Sequence, residues 1–255
     1  ACAAAVKHLL EVRTNMWSGR ALEMGPGQSI VITGLGVVSP IGIGKHALWD
    51  SLVACRSGVE TLEDYSKYGL PVPFGAPIRD FDAKLYVQPR KSLKVMSREI
   101  QTGYAAAAIA IQDAGLTVGQ VDPQRMGVVY GSEMLHCDLE EMYGGYKAAV
   151  REGRCETSDW AARGMSQLFP LWMLKYLPNM VACHIGIAND ARGPNNTIVQ
   201  GEASSLLAII EGMQVIRRGL ADVMVVGGTG NRMHLMSILY RLSLIHISEP
   251  TRRRG

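Results

Sequence analysis

The 255-residue chain is short of several things, and each shortage removes a class of protein. Aromatic residues make up only 6% of it, while glycine is frequent at 28 residues, a balance that suits tight turns and closely packed small-residue helices. Its five cysteines, Cys2, Cys55, Cys137, Cys155 and Cys183, are odd in number and contain no C-x-x-C pair, so neither a disulfide framework nor a zinc knuckle is indicated and a reducing cytoplasm is the default compartment. No apolar run approaches the roughly 18 residues of a membrane span. The start, ACAAAVKHLLEVRTNMW, lacks the long apolar core of a secretory signal. Charge is equally sparse: of a formal +3, two units come from Arg252, Arg253 and Arg254 set against Glu249, and the remainder is too small to mark a nucleic-acid or membrane surface.

What is present is a large apolar fraction, 47%, in a chain long enough to bury a sizeable core. The two ends stand apart from it. Patterned sequence begins after Gly25-Pro26-Gly27, so residues 1–28 are expected to form an extension outside the fold, either read-through upstream of a start at Met24 or a transit peptide, which Glu11 and Glu23 count against. At the other end, LSLIHISEPTR (Leu242 to Arg252) matches the translation of a sequencing-library adapter, so residues 242–255 are expected to be an artefactual tail and 29–241 the domain.

Between these ends, strand and helix patterns alternate. Ser29 to Val38 is a Val/Ile-rich strand ending in glycines, and His46 to Cys55 has helical spacing. Residues 60–95 read as loop with short elements. SREIQTGYAAAAIAIQDAG predicts a helix capped at Ser97 and stopped at Gly115, its alanine run allowing very close approach to a sheet. Arg125 to Gly131 predicts a strand, Asp138 to Arg163 a polar helix-leaning stretch, and Leu168 to Asp190 a helical run broken at Pro170 and Pro178. In NNTIVQGEASSLLAI (195–209) a strand breaks on Gly201 and restarts as a helix, and Ala221 to Gly228 is a further buried strand. Such alternation predicts parallel βαβ units.

Most candidate sites fall to a bland reading. In TGLGVVSPIGIG the third position demanded after Gly34 and Gly36 is Ser39, so the dinucleotide fingerprint fails and a plain turn is the better account. No Walker glycine-lysine signature exists. The pairs His136-Cys137 and Cys183-His184 make a poor metal set because neighbouring residues point apart, and Asp138, Glu140 and Glu141 read as a solvated face or helix-start charges. The turn at Gly201 differs. A strand-turn-helix corner supplies an exposed side chain and free backbone N–H groups at the helix start, the two needs of acyl chemistry. The residue it presents is Glu202, which a capping role also explains.

Several stretches resemble the beta-ketoacyl-acyl-carrier-protein synthases, the condensing enzymes of fatty-acid and polyketide assembly. They are IVITGLGVVSPIG (30–42), WDSLVACRSGVE (49–60), SREIQTGYAAAAIAIQDAGL (97–116), RMGVVYGSEM (125–134) and ARGPNNTIVQGEASSLLAIIEGMQVIRRGLADVMVVGG (191–228), in the family's order. The resemblance implies an α/β, thiolase-like fold, here the N-terminal half only, as a mixed sheet with helices on both faces. It implies no cofactor and no metal, an acyl carrier protein with phosphopantetheine-linked acyl or malonyl groups as partner, and pairing as a homodimer or as a heterodimer with an active synthase.

Relatives read T-A-C-S-S or similar at the corner, and counting back from Ser204-Ser205-Leu206 places that nucleophilic Cys on Glu202. Cys183 lies on the preceding segment and does not replace it. The family's two catalytic histidines and its glycine-rich gate belong to the second half, and His234 and His246 match neither histidine motif. The chain as written is therefore expected not to condense, leaving three readings of its full-length parent: a family synthase, a malonyl-carrier decarboxylase, or a non-catalytic partner like a chain-length factor. Sequencing the locus from independent reads checks the tail: genomic sequence is expected to depart from codons 242–252, and continuation through them would make the tail native.

Overall fold

The computed structural model describes residues 2–8, 29–63, 65 and 74–248. The expectations for Met24 and for residues 9–28, and for the last residues of the tail, lie outside these. In chain order the main elements are strand β1 (Cys2–His8), strand β2 (Ile30–Ser39), strand β3 (Gly42–Ile43), helix α1 (Lys45–Val53), helix α2 (Arg98–Asp113), strand β4 (Met126–Ser132), helix α3 (Leu139–Ala149), helix α4 (Met180–Ala188), strand β5 (Asn195–Ile198), helix α5 (Ser204–Arg217), strand β6 (Val223–Thr229) and helix α6 (Leu235–Ser248). Short pieces at Glu60–Thr61, Phe74–Gly75, Ala83–Leu85 and Arg90–Val95 fill the stretch read as loop with short elements.

The six strands form one sheet in the order β3-β2-β1-β6-β4-β5. β6 pairs in parallel with β4, and β4 with β5. β1 runs antiparallel to both β2 and β6, so the sheet is mixed. Cys2–His8 thus occupy the middle of the sheet, between β2 and β6. The physical reason is backbone demand: β2 and β6 each present N–H and C=O groups on facing edges, and a strand between them satisfies both rows whatever its own side-chain pattern.

Alternation along the strands sorts the core. Val128, Tyr130, Val223 and Val225 point to one face, where α2 and α4 add Ile100, Ala106, Ala110, Val181 and Ile185. Val129, Met224 and Val226 point to the other, where α5 adds Ala208, Val215 and Ile216. Helices thus cover both faces, as the resemblance implied, and every residue of β4 and β6 is buried. The guanidinium of Arg125 ties the starts of these two strands together, bonding Asp222 at 2.6 and 3.1 Å and the Gly219 carbonyl at 2.6 Å.

The α2 helix begins as its sequence predicted, with Ser97 Oγ accepting from the Ile100 N–H. Its alanines lie so close to β2 that a Cβ on Gly36 would sit 1.9 Å from the Ala106 carbonyl oxygen and one on Gly34 2.1 Å from that of Ala110. The two glycines of TGLGVV are therefore not a turn, as the sequence reading had them, but an approach surface inside a strand. Gly36→Ala is expected to destabilise the chain by about 1–3 kcal/mol or more through overpacking, read as a lower midpoint in a urea melt.

Candidate active site

Strands β4, β5 and β6 run in the same direction, and their C-terminal ends open on one edge of the sheet, where open α/β sheets gather their functional groups. After β5 the chain turns through Gln200 and a single 3-10 turn, Gly201–Ala203, before α5 starts at Ser204. Gly201 takes φ +54, a left-handed conformation that favours glycine. The predicted strand-to-helix corner is present.

Two glycines seat it. A Cβ on Gly131, near the end of β4, would lie 2.5 Å from the Ser204 carbonyl carbon, and one on Gly228, near the end of β6, 2.6 Å from Ser205 Cβ. Buried Ser204 then pins the turn: its Oγ accepts the Gln200 N–H at 2.7 Å and lies 2.8 Å from the Gly201 carbonyl and 3.2 Å from that of Ser132, to one of which it donates.

Glu202 stands on the outside of this corner with 69% of its side chain exposed, yet it is held. Its Oε1 accepts from Arg232 Nη2 at 2.7 Å and from Arg241 Nη2 at 3.3 Å. Arg241 Nη2 also donates to Glu133 Oε1 at 3.1 Å. Backbone hydrogen bonding at the residue itself, then the bond and charge of Arg232, then the bond from Arg241 lower the Glu202 pKa from 4.5 to about 2. The carboxylate is ionised throughout the neutral range.

Next to this network lie two histidines. The rings of His136 and His234 stack with centroids 5.4 Å apart. His234 Nδ1 accepts from the Met236 N–H, which leaves the Nε2 proton facing Asp138 Oδ1 at 3.6 Å. Burial, then the neighbouring His234, lowers the pKa of His136. Beneath them the buried Glu99 accepts from Asn231 Nδ2 at 2.8 Å. His136 therefore meets His234 and not the Cys183-His184 pair; His184 sits in α4, its pKa lowered by burial and its Nε2 without a hydrogen-bond partner. Among the described residues no group of three or more His, Cys, Asp and Glu is placed to hold a metal ion, and no helix is long and apolar enough to cross a membrane.

A cavity of about 390 Å³ opens between the turn at Arg90–Val95, α3 and the segment before α4. Met142, Leu168, Phe169 and Trp172 give it apolar walls, with Lys94 and Cys137 at its margin. Glu141, read from the sequence as part of a solvated face or as a helix-start charge, lies in the first turn of α3, where it also pairs with Lys175 and accepts from the Tyr176 hydroxyl at 2.9 Å.

The sequence reading found the corner and Glu202 but missed Arg232, Arg241, Glu133 and the His136–His234 stack. A usable signal existed: each of these residues except Arg241 follows within a few positions of the end of a predicted parallel strand, and such ends converge.

This half-sheet architecture is thiolase-like, and comparison with known proteins agrees. The family model for the beta-ketoacyl synthase N-terminal domain matches residues 27–253, so the chain belongs to the beta-ketoacyl synthase family. It is 30% identical over 199 residues to 3-oxoacyl-acyl-carrier-protein synthase 2 of Vibrio cholerae, covering 78% of this chain and 45% of that protein. It is 29% identical over 206 residues to the oxytetracycline polyketide putative beta-ketoacyl synthase 1 of Streptomyces rimosus, covering 78% of this chain and 45% of that one. The chain thus spans a little under half the length of these curated relatives. Among solved structures, a beta-ketoacyl synthase from Burkholderia phymatum superposes with a TM-score of 0.68 at 22% identity, over 84% of this chain and 49% of that one. The ishigamide ketosynthase/chain length factor superposes at 0.63 and 20% identity, over 83% and 49%.

The Glu202 network has a pH signature. A carboxylate whose folded pKa is depressed contributes stability that is present above its unfolded value and is lost as pH falls through the folded one, here between 4.5 and about 2. Glu202→Gln is expected to flatten the fall of the melting temperature in that window, the difference from the unaltered chain shrinking at high salt because the pair is exposed.

Proposed function

We propose that the full-length parent of this chain is a non-condensing beta-ketoacyl synthase family subunit of fatty-acid or polyketide assembly, which pairs with an active synthase and meets acyl or malonyl groups carried on phosphopantetheine. One observation carries this reading: at the corner where the family's cysteine falls stands an ionised carboxylate bonded to two guanidiniums. A thiolate exchanges acyl groups with a carrier thioester at nearly equal energy, whereas a carboxylate forms a mixed anhydride, a far more reactive species. Two arginines withdraw still more electron density from Glu202, so an acyl-carrying role is chemically disfavoured.

Decarboxylation is the rival. That chemistry needs the corner amides free to stabilise a developing oxyanion. The Glu202 carboxylate, held at the corner by Arg232 and Arg241, instead places a negative charge beside those amides, which favours the partner role. Solved relatives supply the context: one is a type II polyketide synthase acyl-carrier protein in complex with its ketosynthase, with a TM-score of 0.63 at 18% identity over 82% of this chain and 52% of that one. Here the exposed basic residues Arg90, Lys91 and Lys94 lie on the turn beside the apolar cavity, a fit for an anionic carrier presenting an apolar chain. Pairing has its own support, since Leu206 and Ile210 of α5 and Leu35 of β2 are exposed apolar side chains at 65%, 53% and 41%.

The full-length parent, made alone and given malonyl-carrier protein, is expected to release no carbon dioxide until an active synthase is added; release by the parent alone would establish the decarboxylase. In that same protein Glu202→Cys is expected to gain covalent acyl labelling, and a folded variant that takes no label would mean that the corner is not the acyl site.

A further inference from the structure

The corner carries more positive donors than a capping glutamate needs. Arg232 and Arg241 come from the segment after β6, reach the turn before α5, and converge on a single oxygen, Oε1 of Glu202, at 2.7 and 3.3 Å. Glu133, with its side chain 22% exposed, holds Arg241 from behind at 3.1 Å and lies 4.0 Å from Arg232. Two guanidiniums and two carboxylates balance. Glu133 is fixed among the strand ends and orients the arginines, whereas Glu202 is the most exposed of the four and approaches from the open side. Without the Glu202 carboxylate the group carries one net positive charge, with two guanidinium forks aimed at the position that its oxygen vacates.

We propose that Arg232 and Arg241 constitute a binding site for a small carboxylate anion and that Glu202 is the ligand this chain carries for it in cis. Guanidiniums form charge-assisted hydrogen bonds with anionic oxygens, and the acceptor already seated between these two is a carboxylate, which commits the site to that class. A tethered ligand is present at an effective concentration of millimolar or more, so an external carboxylate must outcompete it. The site is therefore closed in the unaltered chain. This assignment stands on the geometry of the four side chains and holds whether the parent protein is a partner subunit or a decarboxylase.

Acetate titrated into the full chain, followed by the arginine side-chain N–H signals in NMR spectra, tests it. Glu202→Ala is expected to show saturable shifts with a midpoint at least about tenfold lower than the unaltered chain, because the competitor in cis is gone. Adding Arg232→Met to that variant is expected to abolish the saturation. Glu202→Gln, which keeps the size of the side chain, decides the matter if the alanine variant fails to fold, since it too is expected to gain acetate binding. Equal acetate affinity in the unaltered and Glu202-substituted chains, or saturation that survives Arg232→Met, would overturn the proposal. So would inorganic phosphate binding as tightly as acetate, for the site would then be a general anion trap.

Discussion

The start of α5 sits where it does because the two strands beneath it carry glycine at their C-terminal ends. Gly131 and Gly228 leave no room for even a methyl group under Ser204 and Ser205, so the helix backbone rests directly on the sheet. That contact fixes the height of the corner, and Ser204, bonded to the turn at Gln200 and close to the Ser132 carbonyl, fixes its rotation. Glu202 is consequently presented at the strand ends, within reach of side chains arriving from the segments that follow β4 and β6. Remove the close approach and the convergence of Glu202, Glu133, Arg232 and Arg241 goes with it.

The same device operates on the sheet's other face. Gly34 and Gly36 accept the alanine-lined side of α2 at backbone contact distance, which seats one helix layer as Gly131 and Gly228 seat the other. Small residues set both layer spacings, and the larger Val, Ile and Met side chains fill what remains. A low aromatic content follows naturally from such packing.

At the corner the chemistry turns on charge. A thiolate in this place would face the same arginines that now hold Glu202. What the carboxylate does there is satisfy them, producing an electrically balanced surface. That balance joins the elements before and after β6 into one unit.

Much of this was legible in the chain itself. Val/Ile runs ending near glycine marked the strands β2, β4 and β6, of which the buried parallel pair β4 and β6 is apolar or small almost throughout; the Ser97 cap and Gly115 stop bounded α2; Gly201 marked the break between β5 and α5, because a left-handed turn there favours glycine. Glu202 itself could be picked out by counting along NNTIVQGEASS. What local pattern could not yield was anything set by strand order. The insertion of Cys2–His8 between β2 and β6 depends on which backbone edges face each other, the strand role of Gly34 and Gly36 on where α2 lies, and the pairing of His136 with His234 and of Glu202 with Arg232 and Arg241 on strand ends far apart in sequence being brought to one edge. The sequence by itself determined the elements and the identity of the residue at the corner, since propensity, capping and turn conformation act over a few residues. Tertiary structure alone decided that residue's partners, because ion pairs and ring contacts depend on distance in space.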